Sequence, residues 1–340
     1  PRNDSVGQGD SAWVRGTPDS VLYTIRQLGI ARGGANNMLY GSARYTHTNL
    51  GVACTTGTSG QDYYYCTVGG GYRNTASGNS TTVAGGYRNA ASYTNATVGG
   101  GYQNTASGYD ATVGGGDGNT ASGFAATIAG GYGNTASGDR ATVGGGAYNT
   151  VSGGYATVPG GYYNKATAHY SFAAGIYARA NHNYSFVWSD SCSEVNPSDS
   201  LYTTGANQWR VRARGGVWFF SNRVMTSGVY LAPGSNSWAS ACDSANKTDF
   251  QPVDHKALLK KLATVPVRYY RMKDQNDGTK HIGPVAQEFY AAFGVGENDK
   301  SINMADADGV LFAAIQALYE ENQQLLHRIE VLEAQINQGR

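Results

Sequence analysis

Within the stretch ACDSANKTDF, Cys242 stands five residues before Lys247. The pairing has chemical meaning, because thiolate is the reactive form of cysteine and a cationic neighbour favours it. Ser240 and Ser244 supply hydroxyls nearby, at other distances from the lysine. A second set of residues suits binding rather than reaction. Tyr72, Tyr87, Tyr102, Tyr132 and Tyr162 recur at multiples of fifteen. Aromatic side chains in a row can stack on glycans or a partner surface, or can stack on one another. Other chemistries lack their residues. No close pair of carboxylates recurs along the repeat, as two-carboxylate glycoside hydrolysis would need. His169 and His182 fall in the last repeats and read as capping residues rather than ligands, so neither a metal nor a cofactor is expected.

The tyrosines belong to a repeat that must position them. TVGGGYQNTASGYDA, residues 97–111, is followed at once by TVGGGDGNTASGFAA, residues 112–126. Aliphatic anchors at Val68, Val83, Val98, Val113, Ile128, Val143 and Val158 are fifteen apart. Each is followed six residues later by an asparagine, from Asn74 to Asn164. Two shorter copies anchor on Phe172 and Phe186, and the pattern stops at VWSD as if capped. Read at period two, Val98 and Ala96 share one face with Thr97 opposite, and Asn104 and Ala106 share one with Thr105 opposite. Gly-Gly and Ser-Gly pairs supply the turns between these short strands, and so much glycine excludes a helix. The unit is therefore one coil of a β-solenoid, stable only between copies of itself. Nine coils at ~4.8 Å make a rod of roughly 40 Å. The buried asparagines are expected to bond amide to amide up the stack. Residues 23–37 look like a degenerate earlier coil.

Composition narrows the function. The 340 residues carry 48 glycines and 25 tyrosines, a balance too aromatic for a disordered tract. A net charge of +1 gives no electrostatic case for nucleic acid, and no apolar run is long enough to span a bilayer. The chain starts at Pro1 without a charged and then apolar leader, which reads as a fragment or a processed protein. Of the four cysteines, Cys54 and Cys66 could close a short excursion in an oxidising compartment, and Cys242 could pair with Cys192.

The Asn-x-Ala-x-Gly coils of residues 61–188 resemble the heads of trimeric autotransporter adhesins of the YadA type, whose usual period is fourteen. The resemblance implies left-handed parallel β-rolls that associate as three chains and bind surfaces. It names no ligand. A rival from another class rests on the unbroken outward ladder Thr67, Thr82, Thr97, Thr112, Thr127, Thr142 and Thr157. Regular threonine arrays occur on ice-binding solenoids, but threonine is also an ordinary residue for an exposed strand face.

After a Ser- and Asp-rich connector, NQWRVRARGGVWFFS alternates as a hairpin would, with Gly215-Gly216 at the turn. From Trp238 the pattern becomes helical. Lys247-Thr248-Asp249-Phe250, then His281-Ile282-Gly283-Pro284-Val285-Ala286-Gln287-Glu288, then Asp308-Gly309-Val310, resemble in order and spacing the endosialidase-type intramolecular chaperone of phage tail spikes and fibres. That family assembles as trimers, and many members cut themselves off with a serine five residues before a lysine. Here Cys242 occupies the serine position and Lys247 that of the lysine. The expectation is at most a single-turnover self-cleavage, and an inert site because sulfur replaces oxygen. Leu311, Ile315, Leu318, Asn322, Leu325, Ile329, Leu332 and Ile336 follow at spacings of four and three, a coiled-coil seam. Isoleucine at a with leucine at d nominally favours dimers, yet both resemblances imply a trimer.

The expected architecture is thus mainly β. An irregular segment with degenerate coils (1–60) precedes a β-roll head (61–190), a β-rich neck (191–237), a small α+β chaperone domain (238–309) and a trimeric coiled coil (310–340). The expected function is a homotrimeric extracellular fibre on a virion tail or bacterial surface. It would bind a glycan or protein receptor, without nucleic acid and without membrane insertion. A carbohydrate-active tail spike is the alternative.

Overall fold

A computed structural model describes residues 13–15, 22–24, 30–31, 37–41, 43–191, 199–275 and 277–338. The chain divides into two units at Gly216.

The first unit is a parallel β-solenoid. Its strands form one sheet of eleven, from Met38–Leu39 to Leu201–Tyr202, and one of thirteen, from Ile30–Ala31 to Trp209–Arg212. The sequence period is the stacking register: Thr97 lies opposite Thr112 and Val98 opposite Val113, while Thr105 and Ala106 face Thr120 and Ala121. In the regular rungs such as Thr97–Val98 and Thr105–Ala106 the threonine points outward and the aliphatic residue is fully enclosed. Columns of valine, alanine and asparagine fill the narrow interior. Each buried valine contributes about 1.5–3 kcal/mol, so a coil without neighbours has little to hold it. The glycine triplets follow from the same stacking. Gly101 sits at φ +89°, and a Cβ there would collide with the Gly116 carbonyl of the next coil.

The solenoid includes irregularly spaced coils before residue 61 and runs on beyond VWSD. Thr48–Asn49 and Thr55–Thr56 are rungs that precede the regular repeat. Their spacing to the next rung is stretched by an insertion, which hides them from a fifteen-residue search. Tyr23 and Thr24 are not in a coil, because Leu22–Thr24 pairs antiparallel with Trp13–Arg15. Beyond VWSD the stack continues: Phe186–Ser189 pairs in parallel with Trp209–Arg212. This overturns the hairpin expected around Gly215-Gly216. The alternation in WRVR marks a last rung, and its arginines bond to described residues between this rung and the one before. The Arg212 guanidinium donates to Ser189 Oγ, to the Ser191 carbonyl and to Asp199, and Arg210 donates to the Tyr202 carbonyl.

Cys54 and Cys66 are buried free thiols, not a disulfide. Each occupies an interior column. Cys66 lies in the column continued by Thr81 and Ala96, and donates to the Gly78 carbonyl at 3.0 Å. Cys54 accepts the Asn74 backbone N–H at 3.2 Å, as an asparagine side chain does elsewhere. Cys192 lies outside the described residues.

The second unit opens with the antiparallel strands Val217–Phe220, Gly228–Leu231 and Ala239–Ser240. Helix α1 (His255–Leu262) starts at Asp254, whose carboxylate accepts from the Ala257 N–H. The antiparallel pair Arg268–Tyr270 and His281–Gly283 leads into α2 (Ala286–Phe293), which ends on the left-handed Gly294. The long helix α3 (Met304–Gln338) begins before Asp308-Gly309-Val310 rather than at it. Asn303 caps it by accepting from the Ala305 N–H. α1 lies along α3, and Val310, Ala313, Ala314 and Ala317 are buried.

Candidate functional site

The asparagine column sets the shape of the corner that carries the tyrosines. Asn104 Oδ1 accepts the backbone N–H of Asn119 at 3.0 Å, and Asn119 Oδ1 that of Asn134 at 2.9 Å. Each Nδ2 donates twice, for Asn119 to the carbonyls of Gly115 and Gly131, both at 2.9 Å. This corrects the expected amide-to-amide ladder. At the corner the asparagine N–H has no strand carbonyl to meet, so the side chain of the preceding coil satisfies it and holds the glycine turn as well. The column continues at both ends, with Asn37 Oδ1 accepting from Cys54 and Asn164 Oδ1 from Ala178.

Just before each asparagine the corner presents its aromatic residues. Tyr72, Tyr87, Tyr102, Tyr132 and Tyr162 occupy one column, linked coil to coil by parallel bridges through Asp117 and Ala147. Their rings make two groups. Tyr72, Tyr87 and Tyr102 stack in series, with centroids 5.6 and 5.2 Å apart. Tyr132 and Tyr162 instead meet Tyr148 edge-on. Tyr148, Tyr163 and Tyr177 form a neighbouring stack with centroids 4.8 and 5.1 Å apart, each at positive φ. Sequence reasoning missed these three, although each stands directly before a position of the asparagine column. A hydrogen bond with Tyr132, more than burial, pushes the Tyr148 phenol up to about 12. The opposite corner was missed as well: Tyr155, Tyr170 and Tyr184 stack there, with Arg140 over the rings of Phe124 and Tyr155.

In the second unit the structure brings Cys242 and Lys247 together. Lys247 Nζ donates to Cys242 Sγ at 2.9 Å. The intervening turn explains the contact. Asp243 caps the single 3-10 turn Ser244–Asn246 by accepting from the Ala245 N–H, and the Lys247 N–H closes onto the Ser244 carbonyl. A turn of that length returns the lysine over the cysteine. Strand Ala239–Ser240 fixes the other side, where the Ala241 N–H donates to Gly228. Both side chains are exposed, and Cys242 is a free thiol. The motif that ends in Glu288 has a structural role in the same unit: its carboxylate takes a bidentate pair from Arg268 at 2.8–3.0 Å, fastening α2 to the strand pair.

On α3, Leu311, Ile315, Leu318, Leu325, Ile329, Leu332 and Ile336 are 50–62% exposed. Asn322 lies on the same exposed stripe. His169 and His182 are not brought together with other ligands. The His182 ring bonds to Thr203, and the His169 backbone N–H to Asn183. Among the described residues no His, Cys, Asp or Glu cluster has the geometry to hold a metal, and no helix is long and apolar enough to cross a membrane.

Residues 242–295 match the family model described as the chaperone of endosialidase. The match begins at Cys242 and takes in Lys247, Arg268 and Glu288. No curated protein matches the chain.

Proposed function

We propose that this chain is one strand of a homotrimeric extracellular fibre, on a phage tail or a bacterial surface. Its β-roll head engages a surface receptor, and its C-terminal region sets three chains in register. The observation that carries this reading is the order of parts. A parallel solenoid is followed in one chain by a segment that matches a chaperone family known from tail proteins. A solenoid of near-identical coils can slip by one whole coil at little cost in local contacts, so a C-terminal assembly module has a physical purpose. The α3 seam supports the same reading. Its apolar stripe has no partner within the described chain, and three copies would bury it as a coiled coil. The likeness of the coils to YadA-type heads favours adhesion over catalysis.

The receptor assignment is tested by applying the labelled intact protein to a glycan array and to immobilised cell-surface proteins. We expect saturable binding to a restricted group of ligands, reduced when Tyr102 and Tyr132 are changed to alanine. Binding that is unchanged in that variant would remove the tyrosine corner from the reading.

A further inference from the structure

The first two regular coils carry something their neighbours lack. Directly after Tyr72 and Tyr87 come Arg73 and Arg88, at φ +57° and +55°. The same turn position holds Gly118 and Gly133 in later coils, at +65° and +60°. The turn therefore does not require a side chain here, and glycine would hold it with less strain. Each guanidinium lies 5.1 Å from the centroid of the tyrosine ring before it. Adjacent coils set the two arginines roughly 4.8 Å apart along the stack. Two like charges so placed repel unless an anion joins them. Among the described residues neither guanidinium has an ion pair or a hydrogen-bond acceptor. Three of the solenoid's other arginines are engaged: Arg140 donates to Tyr155 Oη at 2.9 Å, Arg210 to the Tyr202 carbonyl, and Arg212 is paired with Asp199, whereas the buried Arg179 Nε has no hydrogen-bond partner among the described residues. The first acid reached along the two columns, Asp117, comes two coils after Arg88.

The aromatic half of the site is also open on one side. Tyr87 and Tyr102 are parallel within 3°, and the next residue in their column is Asp117 rather than an aromatic. One face of Tyr102 is therefore left without a ring. Beside it Gln103 presents an amide, and the space over Gly118 is empty. The open ring face looks toward Asp117, and Arg88 and Arg73 lie one and two coils back on the other side of Tyr102. A saccharide therefore reaches all three only as a chain along the corner, one pyranose C–H face covering the tyrosine and the carboxylates of the sugars that follow taking the paired N–H groups of the guanidiniums.

Building on the receptor-binding reading above, we propose that Tyr102, Arg88 and Arg73, with Gln103 beside them, form a subsite for a carboxylated saccharide. Successive acidic sugars lie along the corner in step with the coils.

The test uses the intact protein and three probes measured by calorimetry: polygalacturonate oligomers, the same oligomers fully methyl-esterified, and inorganic polyphosphate. The variants are Arg73→Gln with Arg88→Gln, and Tyr102→Ala. Gln103 already occupies the equivalent turn position in the next coil, so the double glutamine variant keeps the fold. Polygalacturonate is expected to bind wild type, with Kd rising about tenfold or more in each variant. Affinity should also weaken as salt rises from about 50 to about 500 mM. If the double variant keeps the wild-type Kd, or polyphosphate binds as tightly and ignores Tyr102→Ala, the carboxylated-saccharide assignment is overturned. If the esterified oligomers bind and neither arginine matters, the receptor reading survives and this subsite does not. If no saccharide binds here or on the array, the glycan form of both falls.

Discussion

On a denaturing gel the wild-type chain is expected to run as one full-length band, whereas Cys242→Ser releases a C-terminal fragment of roughly 10 kDa, its share of the 35.8 kDa chain. The expectation comes from chemistry and geometry together. The Asp243-capped turn already holds Lys247 on the side chain at position 242, at 2.9 Å. An oxygen nucleophile placed there by substitution finds its base in position. Sulfur has longer bonds and a different approach to a carbonyl, and displacements near 1 Å can cost about a hundredfold in rate. In the native chain Lys247 then acts as a structural cation over Cys242. Adding Lys247→Ala to Cys242→Ser should abolish the cut by removing the base. If the wild type itself releases the fragment, and Cys242→Ala stops it, the thiol is a working nucleophile and this expectation is wrong.

A second large effect is expected inside the solenoid. Asn119 is completely buried, and its Nδ2 donates to two glycine carbonyls while its Oδ1 accepts from Asn134. Asn119→Asp replaces the donor with a second oxygen that faces both carbonyls. A charge with the Asn134 N–H as its one remaining donor is then enclosed, and two acceptors lose their partner. The variant should lose about 3 kcal/mol or more. Burial raises the folded-state pKa of the new carboxyl above its unfolded value. The variant is therefore least impaired below the ordinary aspartate range, and loses stability as pH rises through the folded pKa. Thr120→Asp, one residue on and pointing outward, should cost much less unless that face is an inter-chain contact. Equal melting temperatures for wild type and Asn119→Asp at neutral pH would contradict the ladder.

The solenoid was legible because its contacts are periodic. When residue i touches residue i+15, the spacing of valines and asparagines states the stacking register directly. The same logic explains what was missed. The rungs at Thr48–Asn49 and Trp209–Arg212 lie beyond insertions, so their partners are not at the repeat distance, and Trp209–Arg212 imitates half of a hairpin. Cys54 stands twenty residues before Asn74 and gave no sign that it belongs to the asparagine column. Sequence placed the asparagines inside but not their bonding, which depends on where the corner leaves a backbone N–H. The Cys242 and Lys247 pairing was visible as a spacing of five. Their contact needed the turn at Asp243, which no periodicity announces. The unpaired state of Arg73 and Arg88 was invisible too, since it depends on what does not reach them in space.

The central claim is that three chains act as one fibre, and sedimentation equilibrium of the intact protein tests it most directly. The account predicts a single species at three times the 35.8 kDa chain mass, which dissociates when Leu318 and Leu325 are both changed to lysine on the α3 seam. A clean monomer or dimer mass for the intact wild-type protein would contradict it.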